Sequence, residues 1–212
     1  MGLCNKMKNN SYIIASLGRC GSQLMTVAVH NHIWGFKDHK KPFLKETRPF
    51  IREYPETFKN GVVHKTHLYP MKYPENCKLI FTFGDPLSIV LSVLKKSREP
   101  GWGPAHFKNL AADWSRSRDI LSTDVLHLEK MFDAFYKQQT CESICLRYET
   151  LWENEDKISD FLGFDFKLPE KRTRDADAIK SQLSRSQIVE FNQGYISLIQ
   201  KIRNAEDLKI WR

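Results

Sequence analysis

The sequence predicts an α/β fold: a parallel sheet flanked by helices on both faces, in one domain over residues 1–212. Short apolar runs of strand length recur at 12–16, 61–66, 78–83 and 143–148, segments with helical spacing lie between them, and no repeat, low-complexity tract or Ser/Gly linker breaks the chain. Apolar runs without alternation fit strands covered on both faces. Strands alternating with helices pair in parallel. Ligands of such sheets gather outside the carboxyl ends of the strands.

Taken in order, Tyr12 to Ser16 reads as a buried strand, and Leu24, Val27, Ala28 and Ile33 carry a helix over 23–34. Residues 35–60, rich in Lys, Pro, Phe and Arg, read as a loop with short helical turns. Gly61–Thr66 is a second strand, and Lys78–Phe83 a third, closed by Gly84-Asp85-Pro86. Pro86 suits a first helical position, where its missing N–H is no loss, and Leu87, Val90, Leu91 and Leu94 extend that helix to about Lys96. After a Gly/Pro/Trp loop at 100–104, residues 107–121 and 126–139 read as helices, with Trp114 and Phe132 in the core. Ser143–Tyr148 is a fourth strand, and helices follow at 154–162, 177–191 and 195–203.

A net charge of +8 favours anionic partners. The basic residues are scattered and no recognition-helix, zinc-finger or RNP signature occurs, so a small polyanion is expected rather than nucleic acid. No apolar run approaches the roughly 20 residues that span a bilayer, and the first ten residues lack the apolar core of a signal peptide, so the expected location is cytoplasmic. Five cysteines (Cys4, Cys20, Cys77, Cys141, Cys145) show no C-x-x-C spacing and read as idle thiols; no metal is expected. Cys20 lies in the first strand–helix turn, where it reads as a small turn residue rather than a nucleophile.

That turn, Gly18-Arg-Cys-Gly-Ser-Gln23, joins an apolar strand to a helix N-terminus. Turn amides and the positive end of the helix dipole together make an anion cradle. The nucleotide-triphosphatase pattern G-x-x-x-x-G-K-[ST] is missing: Gly21 stands before Ser22, and the cation is Arg19, three residues earlier. The sequence therefore reads as a P-loop nucleotide-binding type with its charge moved. Arg19 cannot be deprotonated here, so its role is electrostatic. Gly21 lets the backbone approach a phosphate, while Ser22 and Gln23 donate hydrogen bonds. His67 directly follows the second strand and titrates near neutral pH, which suits a general base. Lys65, two residues back, shares its strand face. His30 and His32 read as packing or surface residues, and Trp102 and His106 as possible walls of an acceptor pocket.

With these residues in place, the chain resembles the sulfotransferases that use 3′-phosphoadenosine 5′-phosphosulfate (PAPS). Gly18-Arg-Cys-Gly-Ser-Gln23 resembles their 5′-phosphosulfate loop, written P-K-S-G-T-T or G-R-S-G-S-T. His64-Lys-Thr-His-Leu68 is similar to their K-T-H-L segment, Phe81 to Ser92 to their 3′-phosphate segment R-[DN]-P-x-D-x-x-x-S, and Leu146-Arg-Tyr-Glu-Thr-Leu151 to L-R-Y-E-D-L. The resemblance covers residues 11 to 165 and implies sulfuryl transfer from PAPS, without a metal, to a hydroxyl or amine of a small-molecule, carbohydrate or lipid acceptor. It implies His67, Arg19 and Lys65 as catalytic residues. The donor would be held by Gly18, Arg19, Cys20, Gly21, Ser22, Gln23, Ser92 and Tyr148. Gly84 stands where that family carries Arg, which removes a charge-assisted phosphate contact. Lys95, Arg98, Arg172 and Arg174 are the cations available to replace it. A nucleotide kinase-like protein and a non-catalytic anion-binding relative are the alternatives, the second favoured by Gly84.

Overall fold

In the computed structural model the described residues are 9–36, 49–137, 141–171, 180, 181 and 183–211. Six strands form one sheet in the order β2-β3-β1-β4-β5-β6. They are β1 (Ser11–Ser16), β2 (Phe50–Ile51), β3 (Val63–Thr66), β4 (Cys77–Phe83), β5 (Glu142–Arg147) and β6 (Leu208–Trp211). The first five are parallel, and β6 runs antiparallel to β5 along the edge. The helices are α1 (Ser22–Trp34), α2 (Pro86–Lys96), α3 (Trp102–Asn109), α4 (Leu128–Tyr136), α5 (Glu155–Leu162), α6 (Arg185–Gly194) and α7 (Ile196–Asn204).

Every residue of β1 is buried, as its unbroken apolar run requires. Its alternate side chains feed two cores. Tyr12 and Ile14 pack with Met25 and Val29 of α1 and Ile158 of α5, whereas Ile13 and Ala15 join Val90 of α2, Phe132 of α4 and Leu198 of α7. The sheet is thus covered on both faces, as expected. The chain leaves β1 through α1 to reach β2 and β3 on one side, then returns to place β4 on the other. That reversal opens a crevice at the carboxyl end of β1.

Local chemistry fixes the helix ends. Asp85 accepts from the Ser88 amide at 2.8 Å ahead of Pro86, and Ser184 and Gln187 form a reciprocal capping box on α6. The expected helix over 107–121 is corrected. Helix α3 begins earlier, at Trp102, because Pro104 sits in a first turn whose N–H groups need no partner. It stops at Asn109; Ala111 turns to φ +52°, and Asp113 captures the Ser115 amide at 2.9 Å to start a separate 3₁₀ turn at Trp114–Asp119. Trp114, expected in the core, is 36 % exposed, its ring edge-on to Phe107 at 5.0 Å. Phe132 is buried as expected, and so is His30, stacked on Phe36. The short β2 and the edge strand β6 are additions to the sequence reading, and part of the expected 177–191 helix lies outside the described residues. Among the described residues no helix is long and apolar enough to cross a membrane.

Candidate functional site

The turn after β1 is shaped by three left-handed residues, Gly18 (φ +80°), Arg19 (φ +55°) and Gly21 (φ +84°). Its start is pinned to the sheet: the Leu17 amide donates to the Thr82 carbonyl at 3.2 Å and the Gly18 amide to Ser16 Oγ at 3.1 Å. Gly21 caps α1 with no side-chain hydrogen bond, so no capping side chain takes up the first-turn amides of that helix. The Tyr148 ring lies directly over Gly21; a Cβ there would stand 2.6 Å from Cδ2 and 2.8 Å from Cε2. Cys20 is buried in the core beneath the turn, which suits a packing residue.

Side chains converge on this turn from two strands, β2 and β3, and two helices, α2 and α3. Arg19 Nε donates to Ser92 Oγ of α2 at 3.0 Å, and its guanidinium carbon lies 5.5 Å from the centre of the Trp102 ring. Lys65 Nζ, from β3, donates to Gln23 Oε1 at 3.1 Å. His67 places Nδ1 3.4 Å from the Ser16 carbonyl. A carbonyl only accepts, so Nδ1 carries the proton, and the lone pair of the neutral ring belongs to Nε2. The His67 ring meets Phe50 at 5.8 Å and His106 at 5.9 Å, and His106 stacks on Trp102 at 4.5 Å.

Burial and mutual repulsion depress Lys65, His67 and His106. Burial, then the Arg19 guanidinium, pushes Lys65 down to about 8. Burial, then the charges of Lys65 and His106, takes His67 down to about 3, against the opposing pull of the Ser16 carbonyl. His106 falls to about 4 through burial, then Arg19 and Lys65. Both imidazoles are therefore neutral at pH 7, and a bound anion would raise all three values. Because Lys65 loses its charge as pH rises through about 8, sulfate affinity should fall by up to about tenfold between pH 7 and 9. Calorimetric titration at the two pH values checks this; Lys65→Met should bind weakly at both and lose that pH dependence.

Arg19, Gly21, Ser22, Gln23, Lys65, His67 and Tyr148 line one cavity of about 790 Å³, so most of the expected site residues meet in one place. Three do not line it. Gly18 lies under His106, Cys20 is buried below the turn, and Ser92 reaches the site through its bond to Arg19. Gln23, expected as a donor, uses its carbonyl oxygen to accept from Lys65. Sequence reasoning passed over Asn109, Phe50, Trp152 and Glu170, which also line the cavity. Trp102, His106 and Asn109 were findable together, because their i, i+4, i+7 spacing puts them on one face of α3.

The position held by Gly84 is also resolved. The Glu149 carboxylate lies against it, 2.9 Å from where a Cβ would stand, and accepts from the Asp85 amide at 3.1 Å. A carboxylate therefore sits where the resemblance calls for an arginine. Lys95 and Arg98 are exposed and do not line the cavity, while Arg172 and Arg174 lie outside the described residues. Lys171 donates to the Glu149 carbonyl at 3.2 Å and lies over the Trp152 ring, which makes it a described cation close to that position. Among the described residues no group of three His, Cys, Asp or Glu side chains is placed to hold a metal ion. No protein-family model matches the chain, and no curated protein matches it in a sequence search.

Proposed function

We propose that this chain is a PAPS-dependent sulfotransferase acting on a hydroxyl or amine of a small-molecule, carbohydrate or lipid acceptor. One observation carries the reading: Arg19, Lys65, the α1 N-terminus and a His67 with its Nε2 lone pair available converge on a single cavity. In the reaction, the bond between sulfur and the bridging oxygen of the phosphosulfate breaks, and its electron pair stays with the departing bisphosphate. A new S–O or S–N bond forms to the acceptor, whose proton passes to His67 Nε2. Arg19 and the first-turn amides of α1 stabilise the charge that grows on the bridging oxygen. Lys65 does the same for the sulfuryl oxygens. Burial, more than the neighbouring charges, holds His67 low in the empty site; a bound polyanion would offset the charge of Lys65 and raise the imidazole basicity toward that of a general base.

Adenosine 3′,5′-bisphosphate should bind the wild-type chain, and Arg19→Ala should weaken it by roughly a hundredfold or more, the loss of a charge-assisted contact. His67→Ala should keep that affinity and abolish radiolabelled sulfuryl transfer. Transfer retained in His67→Ala removes the base assignment, and a wild-type chain that ignores the bisphosphate ends the proposal. The Glu149 carboxylate at Gly84 favours a second reading, a binder of 5′-phosphates without sulfotransfer. Equal affinity for adenosine 5′-monophosphate and the bisphosphate, with no transfer, would select it.

A further inference from the structure

Cys77 and Cys141 are remote in sequence, and only the sheet register joins them. The parallel register pairs Lys78 with Glu142 and runs unbroken to Phe83 and Arg147, so one step back it sets Cys77 opposite Cys141. The two also share a face. Cys77, Leu79, Phe81 and Phe83 alternate along β4 into the same core as Cys145, and Cys141, four residues before Cys145, packs against that core from its edge. Both are thiols. Cys77 Sγ donates to Asn76 Oδ1 at 3.9 Å and Cys141 Sγ to the Glu142 carbonyl at 3.5 Å, weak bonds that give way readily. Adjacent strands lie about 4.8 Å apart, inside the roughly 4.4–6.8 Å between Cα atoms that a disulfide spans. We propose that Cys77 and Cys141 form a redox-sensitive clasp, a disulfide that ties the start of β4 to the start of β5 under a low-molecular-weight disulfide such as oxidised glutathione.

The pair divides the chemistry by exposure. Cys141 is partly exposed and is the point of entry, whereas Cys77 is 0 % exposed and is reached only from within the fold. The Cys141 thiolate attacks one sulfur of oxidised glutathione, forms a mixed disulfide and releases one glutathione thiolate. The Cys77 thiolate then attacks the Cys141 sulfur and expels the second. Two protein thiols thus lose two electrons and two protons, and one glutathione disulfide becomes two thiols. Burial, then the Cys141 charge, pushes Cys77 up to about 12, so its thiolate is scarce and closure is the slower step. Rival pairings are misplaced. Cys145 stands opposite Phe81, with its thiol donating to the Phe135 carbonyl, and Cys20 lies beyond the far end of β1 from Ser11, which is level with Cys77. The clasp sits at the amino ends of the strands, away from the cavity at their carboxyl ends, so it acts on stability and stands independently of the sulfotransferase reading.

The test treats the folded full chain with oxidised glutathione, blocks remaining thiols and maps the unreduced tryptic digest by mass spectrometry. Peptide 73–78 should appear joined to peptide 138–147, and reduction should separate them. Peptide 138–147 also holds Cys145, so Cys145→Ala should keep the link while Cys141→Ser removes it. Oxidised wild type should melt about 4–16 °C above the reduced form, because the bond closes a long loop in the unfolded chain. That difference should vanish in Cys141→Ser and in Cys77→Ala; Cys141, the more exposed of the two, supplies the variant least prone to misfold. Absence of the joined peptides, a link that survives Cys141→Ser, or glutathione that stays on Cys141 without closure would overturn the inference. So would a link that forms only in urea, or an oxidised protein that melts no higher than the reduced one.

Discussion

Gly21→Ala is expected to destabilise the chain by about 2–5 kcal/mol and to remove the proposed sulfate and nucleotide binding. Two separate costs meet at this residue. Its φ of +84° puts an L side chain in the left-handed region, at about 1–2 kcal/mol. Its Cβ would also lie 2.6 Å from the Tyr148 ring, and overpacking of that kind adds about 1–3 kcal/mol. Either the ring or the turn must move, and both line the cavity. Gly35 supplies the control: its φ is +68° but a Cβ there would meet nothing within 4 Å, so Gly35→Ala should show the backbone cost alone. In a Tyr148→Ala background Gly21→Ala should shrink toward that same value. Urea midpoints measure all four variants. A Gly21→Ala protein as stable as wild type would contradict the geometry of the turn.

Acidification is expected to unfold the protein well before its carboxylates are fully protonated. His64, His67 and His106 are buried and neutral in the fold, lowered from 6.5 to about 4, 3 and 4, in each case chiefly by burial. His64 is the plainest case, with both ring nitrogens unpartnered and its ring against Phe58. As pH falls below about 6.5 the unfolded chain takes up protons that the fold refuses, so stability is lost with falling pH. The loss grows until the fold itself protonates near pH 4 to 3. At pH 5 each histidine accounts for about 2 kcal/mol. Together that is on the order of 6 kcal/mol, comparable with the whole stability of an ordinary domain. Urea titrations from pH 7 to 5 should show it, with His64→Leu removing about a third of the slope. Adding sulfate should protect through His67 and His106 and leave the His64 share untouched. Stability that stays flat between pH 7 and 5 would contradict the burial of these rings.

The legible parts of this chain were those where one physical signal acted alone. An unbroken apolar run located β1, Pro86 behind Asp85 marked the start of α2, and glycine spacing marked the turn from Gly18 to Gly21. The site residues on that turn and at the end of β3 were readable because parallel strands deliver their carboxyl ends to one crevice. Competing signals hid the rest. Gly101 to Pro104 carries breaker residues that a helix tolerates in its first turn, so the start of α3 reads as loop and its last residues, 107–109, as the start of a longer helix. Strand β2, two residues long, offers no period to detect, and β6 is only partly buried. Glu149 shows a further kind of gap. Nothing in the order of residues joins position 149 to position 84; only the register of β4 against β5 brings them together.

Arg19 and Lys65 stand at the same cavity, and this matters beyond the moment of contact. Their summed potential extends into solvent by about 10 Å at 0.1 M ionic strength and speeds the diffusional capture of polyanions. In the proposed reaction the same field would detain a leaving bisphosphate. Rapid encounter and slow product release would thus be two faces of one charge arrangement, both softened by added salt.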